Sequence, residues 1–254
     1  VAIATVISQV ISALLVVRCL MREQGGVHLE LRQLHIWPAR LKQILQVGLP
    51  AGFQGVLFAL SNVVIQSSVN SFQETVVAGN AASAMNAFYQ ANISFSSQNY
   101  GAGQYDRLRP ILLRAQGCVI VTGLVLGGLA TLFGHQLLGI YSDSAAVIDV
   151  GMERLAIVCS TYALCGMMDV MVGSLRGLGY SIMPMIVSLL GACALRLIWI
   201  ATIFQVPRFH TPAMIYWSYP FSWVVTLLAH LCCYIWAMRR LRRHLEENKR
   251  LYTL

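Results

Sequence analysis

The sequence predicts an all-α membrane protein, a polytopic bundle of about seven transmembrane helices. Of its 254 residues, 57% are hydrophobic and 11% are charged, whereas soluble globular domains have roughly 45–50% and 25%. The apolar residues fall in runs long enough to cross a bilayer, which takes about 20 residues of helix. A mean hydropathy of +0.65 therefore indicates several membrane spans and excludes a single soluble core.

Seven predicted spans follow one another along the chain. We expect Pro50 and Pro184 to lie within the first turns of their helices, where a missing N–H costs little. The connectors are short except for the first, which runs from Met21 to Ile44 and is polar. The predicted spans are Val1–Leu20, Leu45–Val69, Val76–Ser97, Ile111–Phe133, Val147–Leu175, Ile182–Phe204 and Ala213–Met238.

The distribution of cations predicts the orientation. If successive connectors lie on alternate sides of the membrane, 15 of the 18 Lys and Arg residues fall on one side, and the positive-inside rule makes that side cytoplasmic. The C-terminus is then cytoplasmic, and this bias explains the net charge of +8. We expect its basic tail to contact anionic lipid headgroups and not nucleic acid.

No motif in these spans indicates catalysis or a metal site. The seven cysteines include no Cys-x-x-Cys pair and the six histidines no His-Glu-x-x-His, so we expect no enzyme, no metal and no cofactor. The chain begins inside an apolar helix without an initiating Met or a basic leader region. We therefore expect a fragment whose N-terminal part is absent, and no signal peptide.

A glycine-rich corner separates the third and fourth predicted spans. It reads Gln98-Asn99-Tyr100-Gly101-Ala102-Gly103 and is followed by Arg107. Gly-x-Gly beside an Arg can form a phosphate loop, but that loop needs a preceding β-strand, and the preceding segment here is a predicted span. The corner is better interpreted as a tight turn, in which glycine adopts backbone angles that other residues resist. We expect Arg107, and Arg176 in a second such turn, to be structural.

The corner resembles the cytoplasmic turn after the eighth helix of MATE (multidrug and toxic compound extrusion) transporters of the bacterial type. Four more segments resemble the same family in order and spacing. They are Gly48-Leu49-Pro50, Ile65-Gln66-Ser67-Ser68-Val69-Asn70-Ser71-Phe72, Leu175-Arg176-Gly177-Leu178-Gly179-Tyr180-Ser181 and Tyr219-Pro220-Phe221-Ser222-Trp223. Each motif alone is weak, but five in register over nearly the whole chain make the resemblance specific.

The resemblance implies a domain organisation. Residues 1–20 would be the last helix of the N-terminal lobe, 21–44 a cytoplasmic linker between lobes, 45–238 the six-helix C-terminal lobe and 239–254 a basic cytoplasmic tail. The N-terminal lobe of the same chain would be missing. The resemblance also implies a multi-pass protein of the inner (plasma) membrane.

Asp169 is the candidate coupling residue. It is the one acidic residue well inside a predicted span, and a carboxylate in hydrocarbon is costly and marks function by default. Tyr162 lies seven residues earlier, so both side chains can face one interior. The resemblance implies that such carboxylates bind H⁺ or Na⁺ in exchange for substrate. A structural hydrogen-bonding role for Asp169 stays open. Family members with a well-defined cation site in this lobe also place an acid in the seventh helix, whereas the corresponding span here, Leu45–Val69, has none.

Two polar helix faces predict a substrate cavity. Residues at every fourth position from Gln54 form one face of the second predicted span, and a similar row runs along the third. Lipid disfavours such faces, so they point inward. The candidate cavity residues are Asn62, Gln66, Tyr89 and Asn92. Interhelical hydrogen bonding is the alternative role for them. Amide, Met and aromatic side chains would suit amphiphilic organic cations.

Arg196 is the other charge inside a predicted span. It lies too far along its helix to pair with Asp169, roughly 14 Å nearer the outer surface, so we expect a structural pair with Glu153 instead.

The sequence thus predicts an antiporter that exports organic cations or drugs in exchange for H⁺ or Na⁺ by alternating access. The alternative is a lipid or lipid-linked oligosaccharide flippase of the same superfamily. A flippase would need a strongly cationic cavity, and the predicted spans offer only Arg196. A membrane enzyme using Mg²⁺ would need clustered Asp residues, and a non-transporting scaffold has no positive sign.

Overall fold

The structure is a computed structural model. It describes the backbone of residues 2–23, 28–30, 32, 34–68, 75–139 and 144–251, and the side chains of the same residues except 2–5, 61–68, 75–84, 146–147, 150, 212 and 248–251. The chain divides into two compact units, Val1–Leu45 and Gln46–Leu254. Each unit is described by itself.

All regular structure in the described residues is helical. Three single-turn 3₁₀ segments, Tyr105–Arg107, Ile203–Gln205 and Pro207–Phe209, lie in connectors. The α-helices are α1 (Ala2–Arg22), α2 (Pro38–Ser68), α3 (Thr75–Gly101), α4 (Leu108–Leu132), α5 (Gly134–Gly139), α6 (Ala145–Ser160), α7 (Tyr162–Gly177), α8 (Ile182–Ser188), α9 (Leu195–Ala201) and α10 (Pro212–Leu251).

Several of these helices are long and apolar enough to cross a membrane. Within the described residues four stretches qualify, Pro38–Leu60, Tyr105–Leu132, Ile182–Gln205 and Ala213–Glu247, and the bent pair Gly151–Ser160 with Tyr162–Gly177 makes a fifth. The other two predicted spans correspond to α1 and α3. Large apolar side chains such as Leu132, Leu190 and Ile198 are exposed on the helix surfaces, as expected of an integral membrane protein.

The fifth predicted span is not one straight helix. It breaks at Thr161 into α6 and α7, which are bent by 41°. The hydroxyl of Thr161 donates a 2.7 Å hydrogen bond to the Ile157 carbonyl, and the Ser160 hydroxyl bonds to the Ala156 carbonyl. Back-bonding of this kind competes with the helix ladder and bends helices. The predicted span is therefore present as a bent pair of helices, and its apolar pattern did not indicate the bend.

Three more predicted spans differ in detail from the helices that contain them. The sixth span contains a π-helical turn, Leu189–Ala194, between α8 and α9; such turns shift the register of the residues that follow. The last helix does not end near Met238 but continues to Leu251, so most of the predicted tail is helical. Helix α2 likewise begins at Pro38, inside the predicted linker.

The two glycine corners have the same backbone geometry. Gly103 has φ 71° and Gly179 has φ 88°, and among the described residues these are the only two in the left-handed region. In the first corner Gln104 N donates to Asn99 O at 2.8 Å, and in the second Tyr180 N donates to Leu175 O at 2.9 Å. This is the Schellman ending of a helix, which requires a left-handed residue at that position. The tight turns predicted from the glycines are confirmed.

Helix α7 lies at the centre of unit 2. It packs against α3, α4 and α10, and every residue from Val170 to Leu178 is buried. Glycine allows a close approach to α3: a Cβ added at Gly177 would lie 2.5 Å from the Ser96 Cβ. Small residues at helix contacts are typical of membrane bundles. The chain thereby places one face of α7 beside α3 and leaves another face toward a cavity.

Candidate functional site

A cavity of about 570 Å³ lies inside unit 2, and residues of α2, α3, α6, α7, α9 and α10 line it. We call it the polar cavity. Its charged lining residues are Arg154, Asp169, Arg176 and Arg196. Of the described residues that line it, Asp169 alone is acidic. Among the described residues, no three His, Cys, Asp or Glu side chains come together as metal ligands would.

The structure brings Tyr162 and Asp169 together in this cavity. Both line it, as does Arg176, and the three lie at intervals of seven residues along α7. Each interval of about two helical turns covers roughly 10 Å. Asp169 is therefore near the middle of the cavity wall, with Arg176 at one end and Tyr162 toward the other. Within the described residues, no hydrogen-bond donor and no ion-pair partner contacts its carboxylate.

Arg176 is buried and is held by two side chains. Its Nη2 donates to Gln54 Oε1 at 2.7 Å, and its Nη1 donates to the Tyr89 hydroxyl. The guanidinium also lies over the Tyr89 ring, 5.7 Å from its centre. Arg176 therefore points into the bundle and lines the cavity. Arg107, in the first corner, is exposed.

Arg196 occupies an aromatic cage at the other end of the cavity. Its guanidinium carbon lies 4.3 Å from the Tyr219 ring centre and 5.6 Å from that of Trp223. Trp223 meets Tyr162 edge to face at 5.9 Å. Cation–π contact of this kind stabilises a guanidinium away from water. The side chain is 4% exposed, and its Nε donates to Ser222 Oγ at 2.8 Å.

The predicted pair of Arg196 with Glu153 is wrong. Glu153 is exposed on α6, and within the described residues Arg196 contacts aromatic rings and a hydroxyl but no carboxylate. The physical reason is that the rings of α10 supply a cation-binding surface, so Arg196 is stabilised without a carboxylate. The second part of the expectation, that Arg196 and Asp169 do not pair directly, agrees with the contacts seen.

Arg154, on α6, lies over another aromatic ring of α10. Its guanidinium carbon is 5.8 Å from the Tyr216 ring centre. Tyr216, Tyr219 and Trp223 follow a spacing of three and four residues, which puts them on one face of α10. Arg154 and Arg196 therefore lie along one aromatic strip, separated by about one helical turn.

The four predicted cavity residues divide into three groups. Tyr89 lines the polar cavity. Asn92 does not: it is 1% exposed and its amide donates to Val170 O and Ser174 Oγ, both at 2.7 Å. Asn92 thus links α3 to α7, and the prediction that it lines the cavity was wrong. Asn62 and Gln66 lie on helix α2, but their side chains are outside the described residues.

Sequence reasoning missed two of the four charged lining residues. Gln54 and Phe58, members of the predicted polar face of α2, do line the cavity. Arg154 and Arg176 were not candidates, because each lies near the end of a predicted span where a headgroup contact is the ordinary expectation. A usable signal was the aromatic spacing on α10, which predicts a strip able to hold cations.

Together the helix bundle, its exposed apolar surface and its internal charged cavity define a multi-span integral membrane protein of the transporter type. Comparisons with known proteins agree. A family model described as MatE matches residues 50–202. The chain belongs to the MATE family of membrane transporters.

Individual proteins match this chain at low sequence identity. The probable multidrug resistance protein YoeA of Bacillus subtilis (strain 168) is 24% identical over 200 residues, which cover 74% of this chain and 43% of that protein. Crystal structures of MATE in the bent and in the straight conformation each match with a TM-score of 0.71 at 16% identity. The matches cover 97% and 95% of this chain and 56% of each solved chain. The chain thus spans about half the length of the relatives it matches.

Proposed function

We propose that the protein is a secondary-active antiporter that exports amphiphilic organic compounds carrying a cationic group in exchange for H⁺ or Na⁺. The single observation that carries this proposal is the position of Asp169 in the polar cavity. Transporters of repeat-built folds bind substrate and coupling ion near the middle of the membrane, at the surface between their halves. A carboxylate in such a position binds either a substrate cation or the coupling ion.

Exchange requires that the two cations compete. Asp169 is the one acidic group of the described lining, so one negative charge is available for two positive partners. A lone carboxylate in a low-dielectric site is costly unless a cation or a proton neutralises it. The cavity is thus occupied by ion or by substrate at Asp169, and Tyr162 contributes a hydroxyl on the same wall.

The remaining walls suit varied organic shapes. Met168, Phe58 and Tyr89 line the cavity beside Asn86 and Gln54. Thioether and aromatic surfaces adapt to ligands of different outline. We propose Asn62 and Gln66 as further contacts on the same α2 face. In the complete protein, rocking of one lobe against the other would expose the cavity alternately to the two sides of an inner (plasma) membrane, with the C-terminus cytoplasmic.

Coupled efflux of ethidium tests the proposal. The complete protein encoded by its reading frame would be assayed in everted vesicles under a proton gradient and, separately, under a sodium gradient. Asp169→Asn keeps the size of the side chain and removes its charge, so we expect gradient-driven efflux to fall by at least about 100-fold, the scale of losing the coupling group.

Asp106→Asn is the matched control, because Asp106 is exposed in the glycine corner. It should leave efflux unchanged. Full coupled efflux by Asp169→Asn in both gradients would remove Asp169 from the mechanism.

A second function is favoured by one observation. Three arginines, Arg154, Arg176 and Arg196, line the polar cavity, which is the cationic lining that a flippase for anionic lipid headgroups needs. Translocation of a fluorescent phosphatidylglycerol in liposomes without any ion gradient would support that function. Translocation that depends on a gradient and on Asp169 would support the antiporter.

A further inference from the structure

The geometry points to a subsite for a carboxylate or phosphate group on the aromatic strip of α10, with Arg196 as its main donor and Arg154 beside it. The inference rests on the proposed function and narrows its substrate class: the exported compound is a zwitterion, whose cationic group lies at Asp169 and whose anionic group lies at Arg196.

Arg196 has N–H donors without a hydrogen-bond partner among the described residues. A guanidinium carries five N–H groups, and within the described residues Arg196 donates one hydrogen bond, from Nε to Ser222 Oγ. Tyr219 and Trp223 contact the guanidinium through their rings, which leaves its terminal nitrogens free to bind a ligand. These nitrogens belong to a side chain that is 4% exposed and lines the polar cavity, and they are not among the fully enclosed polar atoms of the described residues, so a ligand in the cavity can reach them.

The rings also fix the orientation of the donor. A guanidinium held over aromatic rings keeps its planar fork of N–H donors, which matches the two oxygens of a carboxylate or phosphate. Arg154, over Tyr216 about one turn away, adds a second positive charge on the same strip. An aromatic cage of this kind would otherwise suit a ligand cation, but here Arg196 already fills it.

The charges argue against a purely cationic substrate. The described lining carries three arginines and one aspartate, and like charges repel strongly in a low-dielectric site. A ligand with one positive charge gains at Asp169 but is repelled by the arginines around it. An anionic group near Arg196 removes that penalty.

The charges argue equally against a purely anionic substrate. Neutralising Asp169 with the coupling ion would leave the cavity more positive and would tighten the binding of an anion, which is the opposite of exchange. In a zwitterion the coupling ion displaces the cationic end from Asp169 and weakens the whole ligand. Tyr162, beside the cage, and Asp169 are separated by roughly 10 Å along α7, a span that one amphiphile can bridge.

Two dyes that differ by one charge provide the test. Rhodamine B carries a delocalised cation and a carboxylate, and rhodamine B ethyl ester keeps the cation without the carboxylate. Dissociation constants for both would be measured by fluorescence polarisation with the complete protein in phosphatidylcholine nanodiscs. We expect rhodamine B to bind about tenfold more tightly than its ester, the effect of one charge-assisted bidentate contact.

We define the ratio as the dissociation constant of the ester divided by that of rhodamine B. Arg196→Gln should bring this ratio close to one. The affinity for the ester should stay within about twofold of wild type or become slightly tighter. Arg240→Gln is the matched control: Arg240 stacks over Trp236 at 5.5 Å on the same helix but does not line the cavity, and the ratio should not change. A ratio of one in the wild-type protein both in nanodiscs and in an uncharged detergent, or a ratio that Arg196→Gln leaves intact, would overturn the inference.

Further variants keep the test decisive if Arg196→Gln does not fold. Arg196→Lys keeps the charge without the planar fork, and Arg154→Gln removes the neighbouring charge. Each should lower the ratio by about threefold. An unchanged ratio in both variants would contradict the subsite as firmly as the first result.

Two more measurements separate the related questions. A zwitterionic lipid headgroup such as phosphatidylcholine carries the same pair of charges as rhodamine B. A ratio present in an uncharged detergent but lost in phosphatidylcholine would therefore assign the subsite to lipid. Equal ratios in the two environments would assign it to a soluble compound. The antiport proposal is judged independently by coupled efflux. If coupled efflux fails but the ratio still depends on Arg196, the subsite stands and the antiport proposal does not. If coupled efflux is normal but the ratio does not depend on Arg196, only the subsite is overturned.

Discussion

The two ends of the polar cavity hold an arginine in different ways. At one end Arg176 donates to Gln54 and Tyr89, so its terminal nitrogens already have protein partners. At the other end Arg196 is held mainly by the faces of Tyr219 and Trp223, and its terminal nitrogens have no acceptor among the described residues. The difference separates an arginine that holds helices together from one that is available to a ligand. Asp169 lies between them.

Removing the Arg176 side chain should have the largest effect. Arg176→Ala leaves Gln54 and Tyr89 without their buried partner, and hydrogen bonds to a charged group each stabilise by about 1.5–3 kcal/mol. We expect the thermal stability of the purified protein to fall by an amount equivalent to about 3 kcal/mol or more. Arg107→Ala, in the exposed corner, is the control and should change little. Equal stability of the two variants would show that Arg176 does not hold the helices together.

Arg196→Gln should destabilise less. It loses two cation–π contacts and one hydrogen bond to Ser222, together about 2.5–5 kcal/mol, but it also removes a buried charge that has no ion-pair partner among the described residues, and this offsets part of the loss. The same thermal measurement would show this variant between wild type and Arg176→Ala. If Arg196→Gln proves the less stable of the two, the caged arginine is structural and the division between the ends is wrong.

A pair of tyrosine substitutions sharpens the comparison. Tyr89→Phe removes the hydroxyl that accepts from Arg176 and should cost about 1.5 kcal/mol of stability. Tyr219→Phe keeps the ring over Arg196, and its hydroxyl has no hydrogen-bond partner among the described residues, so it should cost almost nothing. The thermal shifts of the two variants measure the difference directly. A larger loss for Tyr219→Phe would reverse the assignment.

The bend between α6 and α7 should contribute the smallest effect. Thr161→Ala removes the hydrogen bond to Ile157 O that supports the bend, which positions Arg154 on α6. We expect stability to change by less than about 1 kcal/mol and the rhodamine B preference to fall by about twofold. Thr131→Ala removes an equivalent bond to Gly127 O in α4, away from this cavity wall, and should leave the preference intact. A preference that both variants leave unchanged would show that the bend does not matter for binding.

The fold was predictable from the sequence where local chemistry decides it. Apolar runs of spanning length predict the helices, and Gly103 and Gly179 predict left-handed helix endings. The seven-residue spacing of Tyr162 and Asp169 predicted correctly that they share one wall. These features depend on neighbours along the chain, so one sequence contains the information.

The rest of the site depends on contacts between distant helices. The bend at Thr161 and the π-helical turn before Arg196 change which way later residues face, and hydropathy does not register either. Asn92 looked like a cavity residue because its row is polar, yet α7 approaches closely enough to bury it. The convergence of Arg154, Arg176 and Arg196 follows from helix packing and not from any motif.

Efflux of the two rhodamines from everted vesicles, driven by a proton or a sodium gradient, tests the central claim most directly. The claim is that Asp169 couples transport and Arg196 selects the anionic group. Asp169→Asn should abolish gradient-driven efflux of both rhodamine B and its ethyl ester, whereas Arg196→Gln should reduce efflux of rhodamine B alone. Coupled efflux that survives Asp169→Asn, or an equal loss of both dyes in Arg196→Gln, would contradict the account.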